Sequence, residues 1–192
     1  LHAFYVQVYF DGDARKAAAP KPLVRVHATK AEMMKDWGGA SAPEGWWSPG
    51  SNEVVTYDTR TAAAAGEAPS LDPMMTTLFH EASHQFMTLL AKGGFTPVWL
   101  NEGTASFFEG TVAMADGRVL WPQAARLRLA KLVDALQRGS PTARATIAYD
   151  SPGSYGAEYY AFGWGLCWFL QQYEDPVTLA YVYRPLYAEY RT

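Results

Sequence analysis

Apolar positions alternate with polar ones in the first third of the chain and recur at helical spacing after it. Residues 4–10, Phe-Tyr-Val-Gln-Val-Tyr-Phe, are aromatic and β-branched and predict a strand. Asp11-Gly12-Asp13 turns the chain, and the Ala/Pro/Lys stretch to Pro22 reads as a loop. Residues 23–28 alternate strictly, Val24 and Val26 on one side, Arg25 and His27 on the other, which places His27 on the surface. His2, beside a chain end, reads the same way. Thr29-Lys30-Ala31-Glu32 is a capping box; it starts a short helix that ends at Gly38-Gly39 and packs through Met33, Met34 and Trp37. Residues 45–57 predict two strands around a Pro-Gly-Ser-Asn turn. The second of them, 53–57, is the candidate for the sheet edge, either a place where an extended peptide adds by backbone hydrogen bonds or an edge strand that binds nothing.

Residues 59–70 are Ala-rich with Gly66 and Pro69 and read as a mobile loop. Asp72-Pro73 is then a helix start, and the helix runs to about Ala91 and stops at Lys92-Gly93-Gly94. A further helix is expected from near Leu100 to just before Asp116-Gly117, with Glu102, Ser106 and Glu109 on one face. The next spans Pro122 to Arg138-Gly139 with Leu129, Leu132, Val133 and Leu136 apolar. Residues 139–153 read as a loop, and a long apolar helix occupies about 155–173. Asp175-Pro176 starts a last helix that Pro185 interrupts or ends. Strands first and helices after is the α+β pattern: a small N-terminal β-sheet lobe (1–66) with an edge strand near the helix that starts at Pro73, then a helical lobe (72–192), within one domain over 1–192.

Size and charge narrow the function classes. With 192 residues, 49% hydrophobic and 18% charged, the chain suits a globular domain with a substantial core. A net charge of −3 argues against nucleic acid as a partner, and no apolar run is long enough to span a bilayer. One cysteine, Cys167, excludes an internal disulfide and a Cys-based zinc knuckle, and its apolar helical setting predicts buried packing. The chain opens on Leu1 with no visible signal peptide, which fits a mature product or a piece of something longer; a secreted or extracytoplasmic location is mildly preferred.

The chemistry concentrates at His80-Glu81-Ala82-Ser83-His84. Two imidazoles four residues apart on a helix project from one face about one turn apart, so both reach one small cation. Glu81 between them reaches a water on that cation without being a ligand. Two His and one carboxylate on Zn²⁺ leave a fourth position to water, which a hydrolytic site requires. Glu102, separated from His84 by seventeen residues and on the next helix, is the candidate carboxylate. Two His and two Glu within apolar helices would be costly buried polar groups unless something satisfied them, and a metal satisfies three at once.

Leu78-Phe79-His80-Glu81-Ala82-Ser83-His84-Gln85 with Trp99-Leu100-Asn101-Glu102-Gly103-Thr104-Ala105-Ser106 resembles the gluzincin zinc metallopeptidases. It is similar to the zinc aminopeptidases related to leukotriene hydrolase and to peptidase MA-like domains. The resemblance is carried by about 78–110. It implies a zinc-dependent peptide-bond hydrolase with His80, His84 and Glu102 as metal ligands and Glu81 as the general base. Tyr160-Ala161-Phe162-Gly163 resembles the Tyr-x-x-Gly helix start of those aminopeptidases, which implies Tyr160 as the oxyanion donor, with Tyr159 and Tyr155 as neighbouring alternatives. Ser106 or Glu109 would fix an imidazole by accepting its Nδ1–H. Nothing upstream matches the Gly-x-Met-x-Asn strand that grips a free N-terminus in the aminopeptidases, so an endopeptidase-like activity on a peptide or protein substrate is expected. The alternatives are a catalytically inactive module on the same scaffold and a zinc hydrolase of a non-peptide substrate.

Overall fold

The computed structural model describes residues 1–10, 12, 21–39, 43–59, 73–91, 96–114, 116–151 and 154–190. The expected loops at 13–20 and 60–70, the Asp72 cap and the Lys92-Gly93-Gly94 stop lie outside the described residues. The fold is α+β. Its elements in chain order are α1 (His2–Phe10), β1 (Leu23–His27), α2 (Lys30–Asp36), β2 (Gly45–Ser48), β3 (Glu53–Tyr57), α3 (Pro73–Leu90), α4 (Val98–Phe108), β4 (Val112–Ala113), β5 (Val119–Leu120), α5 (Arg126–Arg138), α6 (Ala143–Ile147), α7 (Ala157–Gln172) and α8 (Arg184–Tyr190). They form two compact units, Leu1–Phe86 with Glu109–Pro122, and Met87–Phe108 with Gln123–Thr192. Among the described residues no helix is long and apolar enough to cross a membrane.

In the first unit, residues 4–10 are helical rather than a strand, and packing gives the reason. A helical turn brings Tyr5 and Tyr9 onto one face, their rings stacked 5.9 Å apart. Both also stack on Phe86, at 4.9 and 6.0 Å. The buried Tyr5 hydroxyl donates to the Phe79 carbonyl. Aromatic burial on α3 thus outweighs a local strand preference. The sheet has the order β1-β3-β2, β1 parallel and β2 antiparallel to β3. Residues 53–57 are therefore the central strand and not the edge: a parallel partner from 23–27 occupies the outer side, and Val54, Val55 and Thr56 are buried. The edges belong to β1 and β2. Thr29 caps α2 as expected, accepting from the Glu32 N–H, while the Glu32 carboxylate accepts from the Ala28 N–H. His27 is half-buried on the face it shares with Arg25, its ring 16% exposed with Nε2 3.3 Å from Asp36 Oδ2.

One turn residue ties this unit together. Asn52 sits in the left-handed region at φ 49°, which asparagine tolerates better than most residues. Its carbonyl accepts from the Leu23 N–H, its Nδ2 donates to the Lys21 carbonyl, and its Oδ1 accepts from Gln85 Nε2 at 2.6 Å. The β2–β3 turn, the start of β1 and the helix residue after His84 are joined through a single side chain and its backbone.

In the second unit α7 packs against α4, α5, α6 and α8. The α4–α7 crossing is closest at Gly103 and Gly163: a Cβ on Gly103 would stand 2.4 Å from the Gly163 carbonyl oxygen. Thr104, the next residue, and Cys167, one turn past Gly163, are fully buried, and Thr104 Oγ1 lies 2.8 Å from the Tyr187 hydroxyl of α8. Burial pushes the Cys167 thiol up to about 12, in keeping with a packing role. Several boundaries depart from the sequence reading, among them the start of α5, which lies at Arg126 and not at Pro122. The helix expected to reach residue 115 ends at Phe108, and Val112–Ala113 pairs with Val119–Leu120 across an Asp116-Gly117 turn with Gly117 at φ 85°. Within 139–153, Thr142 caps the short helix α6. No helix starts at Asp175-Pro176, where Asp175 Oδ1 accepts from the Val177 and Thr178 N–H groups of a turn; the last helix opens at Arg184 and holds Pro185 at its second position, where a missing N–H costs little.

Candidate metal centre

Pro73 opens α3 and the helix continues unbroken to Leu90, so His80, Glu81 and His84 are held on a regular 3.6-residue repeat. Leu78, Phe79, Ala82, Phe86 and Met87 are buried around them. The two imidazoles stand 5.0 Å apart between ring centroids, nearly perpendicular at 78°. One ligand atom each from His80, Glu81 and His84 lies within 4.8 Å of the other two, a group that can hold a metal ion. Glu81 Oε2 is 4.0 Å from His84 Nε2. Each of the three side chains is largely shielded, at 12–14% exposure, yet open enough for solvent or a ligand to reach.

Glu109 joins them from the turn after α4, in the same unit. Its Oε1 lies 2.8 Å from His80 Nδ1. A carboxylate there accepts the Nδ1–H, which fixes the tautomer and leaves the Nε2 lone pair for a cation. Sequence spacing places Glu109 within a helix, on one face with Glu102 and Ser106. In the structure the helix has already ended, and the turn at Glu109-Gly110 carries the carboxylate to the imidazole. The donor chemistry fits a small divalent cation: two imidazoles, one of them oriented by a carboxylate, and a further carboxylate beside them.

The other residues singled out from the sequence belong to the second unit. Glu102 lies on α4 next to Gly103, and Ser106, one turn on, is buried with no hydrogen-bond partner for its hydroxyl among the described residues. The three tyrosines near the start of α7 differ sharply. Tyr155 is buried, and its hydroxyl donates to the Tyr159 carbonyl at 2.9 Å. Burial, and then the Glu102 charge, raise its pKa well above the ordinary tyrosine value, so it stays protonated and committed to that bond. The Tyr159 ring lies 4.5 Å from that of Tyr149. Tyr160 meets Tyr155 edge-on at 4.8 Å and carries the Arg128 guanidinium over its ring, 5.0 Å from the centroid. Arg128 had no signal in the sequence, because an arginine in a first helical turn is ordinarily a solvated residue. The same holds for the Asn52–Gln85 bond, which joins positions 33 residues apart.

No curated protein and no solved structure matches the chain. Residues 74–184, well over half of its length and spanning His80 through α7, match the family described as "Protein of unknown function (DUF1570)", and the chain belongs to that family.

Proposed function

We propose that this protein is a zinc-dependent hydrolase of the gluzincin kind that cleaves peptide bonds, endopeptidase-like in action. The observation that carries the reading is the gathering of His80, Glu81 and His84 within 4.8 Å of one another, with Glu109 on the Nδ1 side of His80. Two imidazoles one helical turn apart suit a single cation, the carboxylate between them suits a base, and a second carboxylate on the far nitrogen of one ring orients it.

His80 and His84 would hold the ion through imidazole nitrogens, and Glu102 enters as third ligand by resemblance. When bound, Zn²⁺ supplies Lewis acidity at the scissile carbonyl and makes water ionisable near neutral pH. Glu81 takes the proton of the attacking water and returns it to the leaving amine. Tyr160 donates a hydrogen bond to the oxygen that gains negative charge. Glu109 keeps the His80 ring in place throughout.

A second reading is favoured by one distance. Glu81 Oε2 is close enough to His84 Nε2, at 4.0 Å, for both to ligate one ion, which would make the group a metal-holding module with no general base. Metal analysis of the purified protein, joined to mass spectrometry of a peptide library incubated with the zinc-loaded form, separates the two. Bound zinc with cleavage products lost in His84→Ala supports the hydrolase. Bound metal with no products supports the module, and no stoichiometric metal overturns both.

A further inference from the structure

From the packing of α5 on α7, we infer that Arg128 is a positioning residue for Tyr160, holding its ring and strengthening its hydroxyl as a hydrogen-bond donor. The two helices are in close contact in the second unit: a Cβ on Gly165 would stand 2.6 Å from Leu132 Cδ2. One turn before Leu132, the half-buried Arg128 reaches the first turn of α7 and lays its guanidinium over the Tyr160 ring, 5.0 Å from the centroid. Tyr155 closes on the same ring edge-on at 4.8 Å. The ring is thus set between a cation and an aromatic neighbour whose own hydroxyl is engaged with the Tyr159 carbonyl.

A cation over the face of a phenol draws electron density from the ring and favours partial negative charge on its oxygen. That makes the O–H a better donor to an oxygen that is gaining charge. The planar guanidinium is suited to this because it stacks flat, which an ammonium group does not. Among the described residues, the charged and titratable groups near Tyr160 include Arg128 on α5, Tyr155 before α7, Glu158 and Tyr159 on α7 itself, and Glu102 on α4, whose charge reaches Tyr155. Glu158 is engaged by Arg138 at 3.4 Å. Among the described residues no cation lies over the ring of Tyr155 or Tyr159, and this separates Tyr160 from its neighbours.

The kinetic side of this inference rests on the proposed hydrolase; the effect on the tyrosine does not. The test is therefore a titration of ¹³Cζ-tyrosine-labelled full-length protein, with the Tyr160 signal assigned by Tyr160→Phe. In Arg128→Gln the Tyr160 midpoint should rise by about one unit, the scale of an opposite charge at this distance. Arg128→Lys should rise by less. An unmoved midpoint in both variants overturns the proposal; if Arg128→Gln does not fold, Arg128→Lys alone decides. Where the zinc-loaded wild type cleaves peptides, Arg128→Gln should lower kcat several-fold with KM within about twofold, and a change in KM alone counts against the assignment. If the wild type cleaves nothing while the midpoint moves, the hydrolase reading falls and the Arg128–Tyr160 relationship stands.

Discussion

Glu109 Oε1 and His80 Nδ1 are 2.8 Å apart although 29 residues separate them. A carboxylate in this place raises the basicity of the imidazole and stops the ring from turning. Glu109→Ala should weaken metal binding by about 10–100-fold, the usual effect of removing such a partner. Competition against a chromophoric chelator measures it. Unchanged affinity would mean that His80 does not bind the ion through Nε2.

Glu81→Gln distinguishes a base from a ligand. As a general base, Glu81 contributes about 10²–10⁴ to turnover and little to metal affinity. The amide should therefore keep one equivalent of metal and lose hydrolysis by orders of magnitude. If metal content falls instead, the carboxylate is a ligand, as its 4.0 Å approach to His84 Nε2 allows.

Gly103→Ala pits two effects against each other. Alanine in a helix interior gains about 1 kcal/mol over glycine. The new Cβ, however, would meet the Gly163 carbonyl oxygen at 2.4 Å and Cys167 Sγ at 2.9 Å, a backbone atom and a buried thiol. Overpacking of this kind costs about 1–3 kcal/mol or more, so the clash should win. Urea denaturation should show a net loss of stability, whereas Gly50→Ala, where a Cβ meets nothing within 4 Å, should be nearly silent.

Alkaline pH should loosen the sheet end of the first unit. The Tyr57 hydroxyl donates to the Glu44 carboxylate, and that bond, with burial and the carboxylate's charge, pushes Tyr57 up from 10.0 to about 12. The folded value exceeds the unfolded one. The stabilisation is therefore complete below pH 10 and is lost as pH rises through 12. Denaturation midpoints of wild type and Tyr57→Phe should accordingly converge between those pH values; a constant difference would dissociate Tyr57 from the effect.

What could be read in advance was local. The Thr29/Glu32 capping box, the turn between β2 and β3, the Pro73 start and the four-residue interval from His80 to His84 each lie within a few residues, and each has a stereochemical cause that acts over that range. The features that escaped depend on distant partners. Residues 4–10 have strand-forming side chains, but Phe86 offers their aromatic rings a helical arrangement. β3 became central because 23–27 lies beside it, which no pattern inside 53–57 records. The Asp116-Gly117 pair reads locally as a helix stop, whereas it turns a hairpin between two-residue strands. Among the candidate site residues, Glu109 was singled out on a helical spacing that the chain does not keep, and it meets His80 all the same. Arg128 could be found only once α5 and α7 were side by side.

The hub at Asn52 bears on how this chain can be handled. Surface turns with a Pro-Gly-Ser tip are favoured places for adding tags, opening a permuted terminus or grafting an epitope. Here the residue just past that tip is bonded to Gln85, the immediate neighbour of His84. An insertion between Pro49 and Ser51 would carry its disturbance along that bond into the helix that presents the imidazoles, so the tip is a poor docking point for engineering despite its exposure.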